Sequence, residues 1–297
     1  MVGLEGLAHA ALGVVNAIAT GGYGAAAALG LWARARVEEA ASGYRGTSYT
    51  MGHELGVPPG LLRAVDEAVA AWLGEEPLGG LEATIWSSIP LEAGLKGSSA
   101  VVNSLVEAVA RLRGAAPPAG LELARLGVEA ARRAGLTVTG ALDDHLAVSG
   151  CGLYATDNRR QRLVAHAAAP PGSYAAVAAA GRLAITRVSR ASYAALRGPA
   201  LAAWRLLLGG DPWGAALLNG VVVAHSVGVE ASLLARLSSL PGVLGAGVSG
   251  KGPAVYAVAV DEGAAAEAAE ELARRLGAEP LVAPLLACLP GGDAPVD

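Results

Sequence analysis

Two short stretches hold the residues best equipped to do chemistry. The first, 90–100 (PLEAGLKGSSA), runs from a proline through a glycine-rich turn into two serines. From Gly97 onward Val101, Val102, Leu105, Val106, Val109 and Leu112 recur at helical spacing, so the serines open an amphipathic helix with Ser98 or Ser99 at its N-cap. The free N–H groups of a first helical turn, the helix dipole and the ammonium of Lys96 would together cradle an anion such as a phosphate. A plain strand-to-helix connection with a serine cap is the other reading. The loop is not a Walker A sequence, since no Gly-Lys-Ser/Thr closes it, and it is not a Gly-x-Gly-x-x-Gly fingerprint.

The second stretch is 136–158, where Asp143 and Asp144 stand beside His145 after a glycine-containing turn. Adjacent residues on a helix point apart, so the two acids are expected to take different tasks, with one of them facing a site. The plainer alternative is a helix start decorated by acids, which the dipole favours.

Composition narrows the classes of function. The 297 residues suffice for one large or two medium domains, and the net charge of −4, without a basic block, excludes the footprint of a nucleic-acid binder. Of the 22 basic residues only two are lysines, Lys96 and Lys251, and both lie in glycine-rich loops. Where arginine has taken over elsewhere, such survivors mark places where a compact ammonium does not exchange for a planar guanidinium. Cys151 and Cys288 are far apart and too few for a disulfide framework, which suits a reducing cytoplasm, and metal capture by cysteine is not expected. The run 6–33 has no charged residue, yet it is mostly Ala and Gly and is broken by His9, Asn16, Thr20 and a GGYG turn. Neither a membrane span nor a signal peptide is expected there.

The elements that must position these residues follow from periodicity. Strands are expected near 4–12 and 26–37 around a polar loop at 16–24, and a third at 81–88 leads into the glycine loop. The stretch 45–56 reads as loop, and His53, Glu54 and Glu67 have no metal spacing. Helices are expected at 60–73 behind a Pro-Pro pair, at 121–134, 191–208, 213–225 and 229–240, and at 262–276 up to Gly277. Near the end 243–260 (VLGAGVSGKGPAVYAVAV) reads as strand, glycine turn and strand. There Gly247, Gly250 and Gly252 would let backbone approach a ligand.

The three glycine-rich regions, in this order, resemble the motifs of the GHMP kinases: loosely 10–22 (AALGVVNAIATGG), closely 90–100, and 247–258 (GVSGKGPAVYAV). Within that family NAIATG, SIPLEAGLKGSSAVVNSLVEA and TGALDD look like the archaeal type of shikimate kinase. The resemblance implies an α+β, two-domain GHMP kinase fold. An N-terminal domain over 1–150 would be like ribosomal protein S5 domain 2, and a C-terminal domain over 151–297 would be ferredoxin-like.

The resemblance also implies transfer of the ATP γ-phosphoryl group to the 3-hydroxyl of shikimate with Mg²⁺, in the cytoplasm, with a homodimer left open. By the same resemblance Pro90, Leu91, Glu92, Ala93, Gly94, Leu95, Lys96, Gly97, Ser98, Ser99 and Ala100 form the nucleotide loop. Ser98 or Ser99 would join Glu129 at the metal. Asp143 or Asp144 would take the hydroxyl proton, and Lys96, standing where the family usually has glycine, would neutralise charge on the bridging oxygen. By position Asn16, Thr20, Gly250, Lys251 and Gly252 would touch the acceptor. Another GHMP small-molecule kinase, for homoserine or mevalonate, and a non-catalytic metabolite binder remain alternatives.

Overall fold

The computed structural model describes residues 4–137, 140–179, 193, 195–224, 228–250 and 254–288. Two sheets organise the chain. The first has seven strands in the order β4-β3-β5-β2-β6-β7, with β1 paired to β2 off that path. Its strands are β1 (Glu5–Val15), β2 (Tyr23–Glu39), β3 (Gly43–Thr50), β4 (His53–Gly56), β5 (Gly80–Ser87), β6 (Leu153–Asp157) and β7 (Arg162–Ala167). The long β2 is the spine: it pairs with β1 along much of its length, with β6 at its start and with β5 at its end. Its early residues, Ala25 to Leu29, are wholly buried small or branched side chains, which lets helices and the second sheet close over it.

Helices of this half are α1 (Ala17–Thr20), α2 (Pro59–Leu73), α3 (Gly97–Leu112), α4 (Gly120–Arg133) and α5 (Leu142–Ser149). α3 lies on β1 and β2, α5 on the same strands, and α2 and α4 cover α3. The apolar stripe expected of α3 is present, since Val102, Leu105, Val106 and Val109 are all fully buried. The stretch 45–56 departs from expectation, being the hairpin β3–β4 and not a loop. Its backbone is recruited by parallel pairing of β3 to β5 and by a Met51–Gly52 turn with both φ values positive, 48° and 80°. Edge pairing of this kind leaves little apolar signal in the side chains.

The second sheet has four strands in the order β11-β8-β10-β9, all antiparallel: β8 (Tyr174–Ala179), β9 (Val243–Val248), β10 (Ala254–Ala259) and β11 (Leu281–Pro284). Its helices are α6 (Arg197–Leu208), α7 (Pro212–Ala224), α8 (Ala231–Ser238) and α9 (Glu262–Leu276). The chain order of one strand, helices, two strands, helix and last strand, with the fourth strand beside the first, is a ferredoxin-like arrangement. The first sheet takes in β6 and β7 and so runs past residue 150; we place the division between the two halves after β7. Among the described residues no helix is long and apolar enough to cross a membrane.

The cysteines overturn an expectation. Cys151 and Cys288 are joined as a disulfide across 137 residues of sequence, with their Cα atoms 5.0 Å apart. Their separation along the chain is cancelled because β11 carries the final run back to the first sheet. Leu286 donates to Ala28 O and accepts from Gly152 N there, at 3.1 and 2.6 Å.

Candidate active site

The glycine loop ends at Lys96, which occupies the N-cap position of α3 with a left-handed φ of 62° and no capping side chain. The expected serine cap is therefore corrected: Ser98 and Ser99 sit inside the first turn. The first helical hydrogen bond runs from Ala100 N to Lys96 O at 3.0 Å, leaving the N–H groups of Gly97, Ser98 and Ser99 outside the ladder. Among the described residues neither serine hydroxyl has a hydrogen-bond partner, although Ser99 is only 7% exposed. Ser98 is exposed and Ser99 lines the cavity in front of the turn, so both hydroxyls are open to a ligand.

A cavity of about 600 Å³ opens in front of this turn. Residues 90–99 line it from one side, and Asp143, Asp144 and His145 of α5 from another. Ala100 does not reach it; its side chain is fully buried in the core beneath. Both acids line the cavity, contrary to the expectation that only one would, because α5 begins at Leu142 and its first turn faces the start of α3.

The two acids differ in their surroundings. Asp144 Oδ1 lies 2.9 Å from Lys96 Nζ. Asp143 is 4% exposed and accepts a hydrogen bond from Asn158 Nδ2 at 2.8 Å. Burial, aided by the neighbouring Asp144 charge, pushes the Asp143 carboxyl up to about 7, against the opposing pull of Lys96 and Asn158. Gly24 of β2 lies directly against this carboxyl, in space a larger residue would take from it.

The three glycine regions meet at one fully buried side chain that sequence reasoning passed over. Ser249 Oγ accepts from Gly13 N at 2.9 Å and donates to Gly94 O at 2.7 Å, tying β1 and β9 to the glycine loop. Asn219 of α7 accepts from Asn16 N at 3.0 Å. No local pattern marks either residue, since each partner is more than 150 positions away.

Of the expected acceptor contacts, Asn16 lines the cavity, but its side chain is spent. Its Oδ1 caps α1 by accepting from Ile18 and Ala19, and its Nδ2 donates to Gly250 O at 2.7 Å. Thr20 is fully buried, bonded to Ala17 and Tyr23, and does not line the cavity; it holds the turn instead. Gly250 lines the cavity beside the Lys96 ammonium, whereas Lys251 and Gly252 lie outside the described residues. Glu129 is not at the site. It sits on the outer side of α4, 46% exposed and bonded to Arg133 at 2.9 Å, so the expected metal carboxylate is corrected.

Behind the cavity α3 and α5 are bolted together. His145 Nδ1 is 2.6 Å from Asn103 Oδ1, and Asn103 Nδ2 donates to His145 O and Ser149 Oγ. Burial pulls the His145 imidazole down to about 4, so it stays neutral, with Nδ1–H donating to Asn103.

Comparison with known proteins identifies the family. The model of the GHMP kinases N terminal domain matches residues 61–152 and that of the GHMP kinases C terminal matches 231–278. A protein named shikimate kinase from Aeropyrum pernix is 41% identical over 277 residues, covering 89% of this chain and 93% of its own length. The chain belongs to the GHMP kinases. A second protein named shikimate kinase, from Thermococcus kodakarensis, is 35% identical over 92% of this chain and 98% of its own. Among solved structures, Methanococcus jannaschii mevalonate kinase superimposes with a TM-score of 0.66 over 96% of this chain and 98% of its own, at 13% identity. That likeness speaks for the fold.

Proposed function

We propose that this enzyme transfers the γ-phosphoryl group of ATP to the 3-hydroxyl of shikimate. The observation that carries phosphoryl transfer is that the N-terminus of α3 and a buried carboxyl open onto one cavity. The acceptor follows the relatives, which are named shikimate kinases at 33–41% identity.

The N–H groups of residues 97–99 and the α3 dipole bind the phosphate chain. Asp143 orients the acceptor hydroxyl and takes its proton as the new P–O bond forms and the bond from γ-phosphorus to the bridging oxygen breaks. The proton moves late in a loose transition state, where positioning and charge neutralisation supply most of the catalysis. Lys96, at the end of the phosphate loop, neutralises charge gathering on the leaving oxygen. Both halves wall the cavity, the second through Asn219 and Gly250.

The residues present also fit magnesium. Among the described residues the Ser98 and Ser99 hydroxyls have no partner, and with Glu129 turned away the remaining ligands would be phosphate oxygens and water. Bound there, it would screen the phosphate charge.

A coupled assay of ADP release with shikimate, homoserine and mevalonate in turn tests the reading. Turnover dependent on shikimate alone is expected. Turnover with one of the other alcohols and none with shikimate would replace the acceptor, and none with any alcohol would remove the kinase assignment.

A further inference from the structure

A buried asparagine outside every glycine motif has every polar group hydrogen-bonded, and its side chain reaches an acid of the site. Asn158, at the exit of β6, is fully buried. Its backbone N–H donates to Gly22 O at 2.9 Å, in the turn after α1, and its carbonyl accepts from Gln161 Nε2 at 2.6 Å. Its side-chain Oδ1 accepts from Leu142 N at 2.9 Å and from Thr156 Oγ1 at 2.7 Å, while its Nδ2 donates to Asp143 Oδ1 at 2.8 Å.

The orientation of the amide is not free. A backbone N–H can only donate, so the atom facing Leu142 must be the oxygen, and the amide nitrogen is thereby turned to Asp143. Asp143 Oδ1 must then act as an acceptor, and any proton Asp143 carries belongs on Oδ2. The start of α5 and the acid are thus held in one register by a single side chain, and the backbone N–H of the same residue ties it to the turn at Gly22.

We propose that Asn158 is a positioning residue for phosphoryl transfer, holding Asp143 so that Oδ2 is the atom that meets the acceptor hydroxyl and takes its proton. The inference rests on the reading of Asp143 as that proton acceptor. Asn158 touches neither substrate in this scheme; it acts through Asp143 alone. Lys96 and Asp144 also act on the Asp143 charge, and both are unchanged in the variants below.

Asn158→Asp separates positioning from mere support of α5. The carboxylate keeps an oxygen for Leu142 N and Thr156 Oγ1 but replaces the donor to Asp143 with a second negative charge. A residue that only caps the helix would leave kinetics untouched. Positioning requires kcat to fall about tenfold or more, with KM for ATP within about threefold, and the acid limb of the pH–rate profile to move to higher pH as Asp143 loses a donor. Asn158→Ser, which cannot span both partners and adds neither bulk nor charge, is run alongside, with melting temperatures, and is expected to show the same split.

Wild-type kcat and an unmoved pH profile in the folded variants would overturn the inference. Asp143→Asn distinguishes the two levels. If it abolishes turnover while Asn158→Asp behaves as wild type, only the role of Asn158 is lost; if Asp143→Asn itself remains active, the proton-acceptor reading is lost and this inference with it.

Discussion

Lys96 Nζ lies 2.9 Å from Asp144 Oδ1, joining the first turns of α3 and α5 through a pair whose side chains are only 14% and 17% exposed. Burial alone would lower the lysine pKa, but the charges of Asp144 and Asp143 outweigh it and hold the ammonium above its ordinary range. The cation is therefore present throughout the working pH range. Gly13 and Gly250 stand against it, so the space around the ammonium is made by residues without side chains.

Lys96→Met should lower kcat by roughly 100-fold or more, the usual loss when a transition-state charge partner is removed. Because the ammonium also lowers the Asp143 pKa, its loss should move the acid limb of the rate profile upward. The variant should melt earlier, since Asp144 is left buried without its partner. Steady-state kinetics across pH reads all of this, and kcat within threefold of wild type would remove Lys96 from the chemistry.

With its carboxyl pushed up to about 7, Asp143 is half protonated at neutral pH, so turnover should rise through that region as the base ionises. Asp143→Asn should cost at least about tenfold in kcat. Its effect on stability has the opposite sign. A carboxyl whose folded pKa is raised favours the folded state least when ionised, so its penalty is absent below the unfolded value of 3.8, grows between there and 7, and is complete above. The asparagine variant should therefore gain melting temperature over wild type at pH 8 and little at pH 4. An equal difference at both values would contradict the assigned shift.

Ser98 and Ser99 are predicted to serve the nucleotide end. Ser99 is the more buried and, among the described residues, lacks a protein partner, so Ser99→Ala should raise KM for Mg-ATP more than Ser98→Ala does and leave KM for the alcohol nearly unchanged. Chelation of magnesium by EDTA should abolish turnover reversibly. A nucleotide-induced rise in melting temperature gives an independent reading. If it survived intact in the Ser98→Ala, Ser99→Ala double variant, the two hydroxyls would have no part in holding the nucleotide.

Much of this is legible in the sequence, and what is not shares a cause. Periodicity exposes elements whose one face is buried, so α2, α3 and α9 stand close to where they were expected. Hairpin β3–β4 escaped because it is held by backbone pairing at a sheet edge. Residues 90–99 and both acids were visible as chemistry, and the cavity brings them together. Asn158, Ser249 and Asn219 were not, because an amide or a hydroxyl acquires its role only when remote backbone arrives beside it. Glu129 failed for the opposite reason: it was placed by likeness to a motif, and helical phase turns it outward to Arg133.

His145 gives a pH signature that is separable from Asp143. Its folded pKa of about 4 lies below the unfolded 6.5, so as pH falls from 6.5 toward 4 the unfolded chain takes up a proton that the folded chain refuses. Stability owed to the neutral imidazole is lost over that window. In His145→Gln, which cannot titrate, the deficit relative to wild type should therefore shrink from pH 7 to pH 4 in urea denaturation. A constant deficit would show that the ring titrates normally in the folded state.

The Cys151–Cys288 bridge fastens the end of the second half to the turn that follows α5, the helix bearing both acids. His166 stands beside it, with Nε2 2.8 Å from Cys151 O and 3.5 Å from Cys288 Sγ. Because the bond closes a loop of 137 residues, chain entropy alone would make it worth about 4–5 kcal/mol at most. Dithiothreitol, or Cys151→Ser and Cys288→Ser each alone, should lower the melting temperature by several degrees. None of these touches the cavity lining, so kcat measured well below the melting transition should stay within about twofold of the oxidised enzyme. Equal melting temperatures with and without reductant, with free thiols counted in both samples, would show that the bridge does not form in solution or adds nothing to stability. A collapse of kcat at low temperature would instead mean that the tether holds α5, and with it Asp143, in working position.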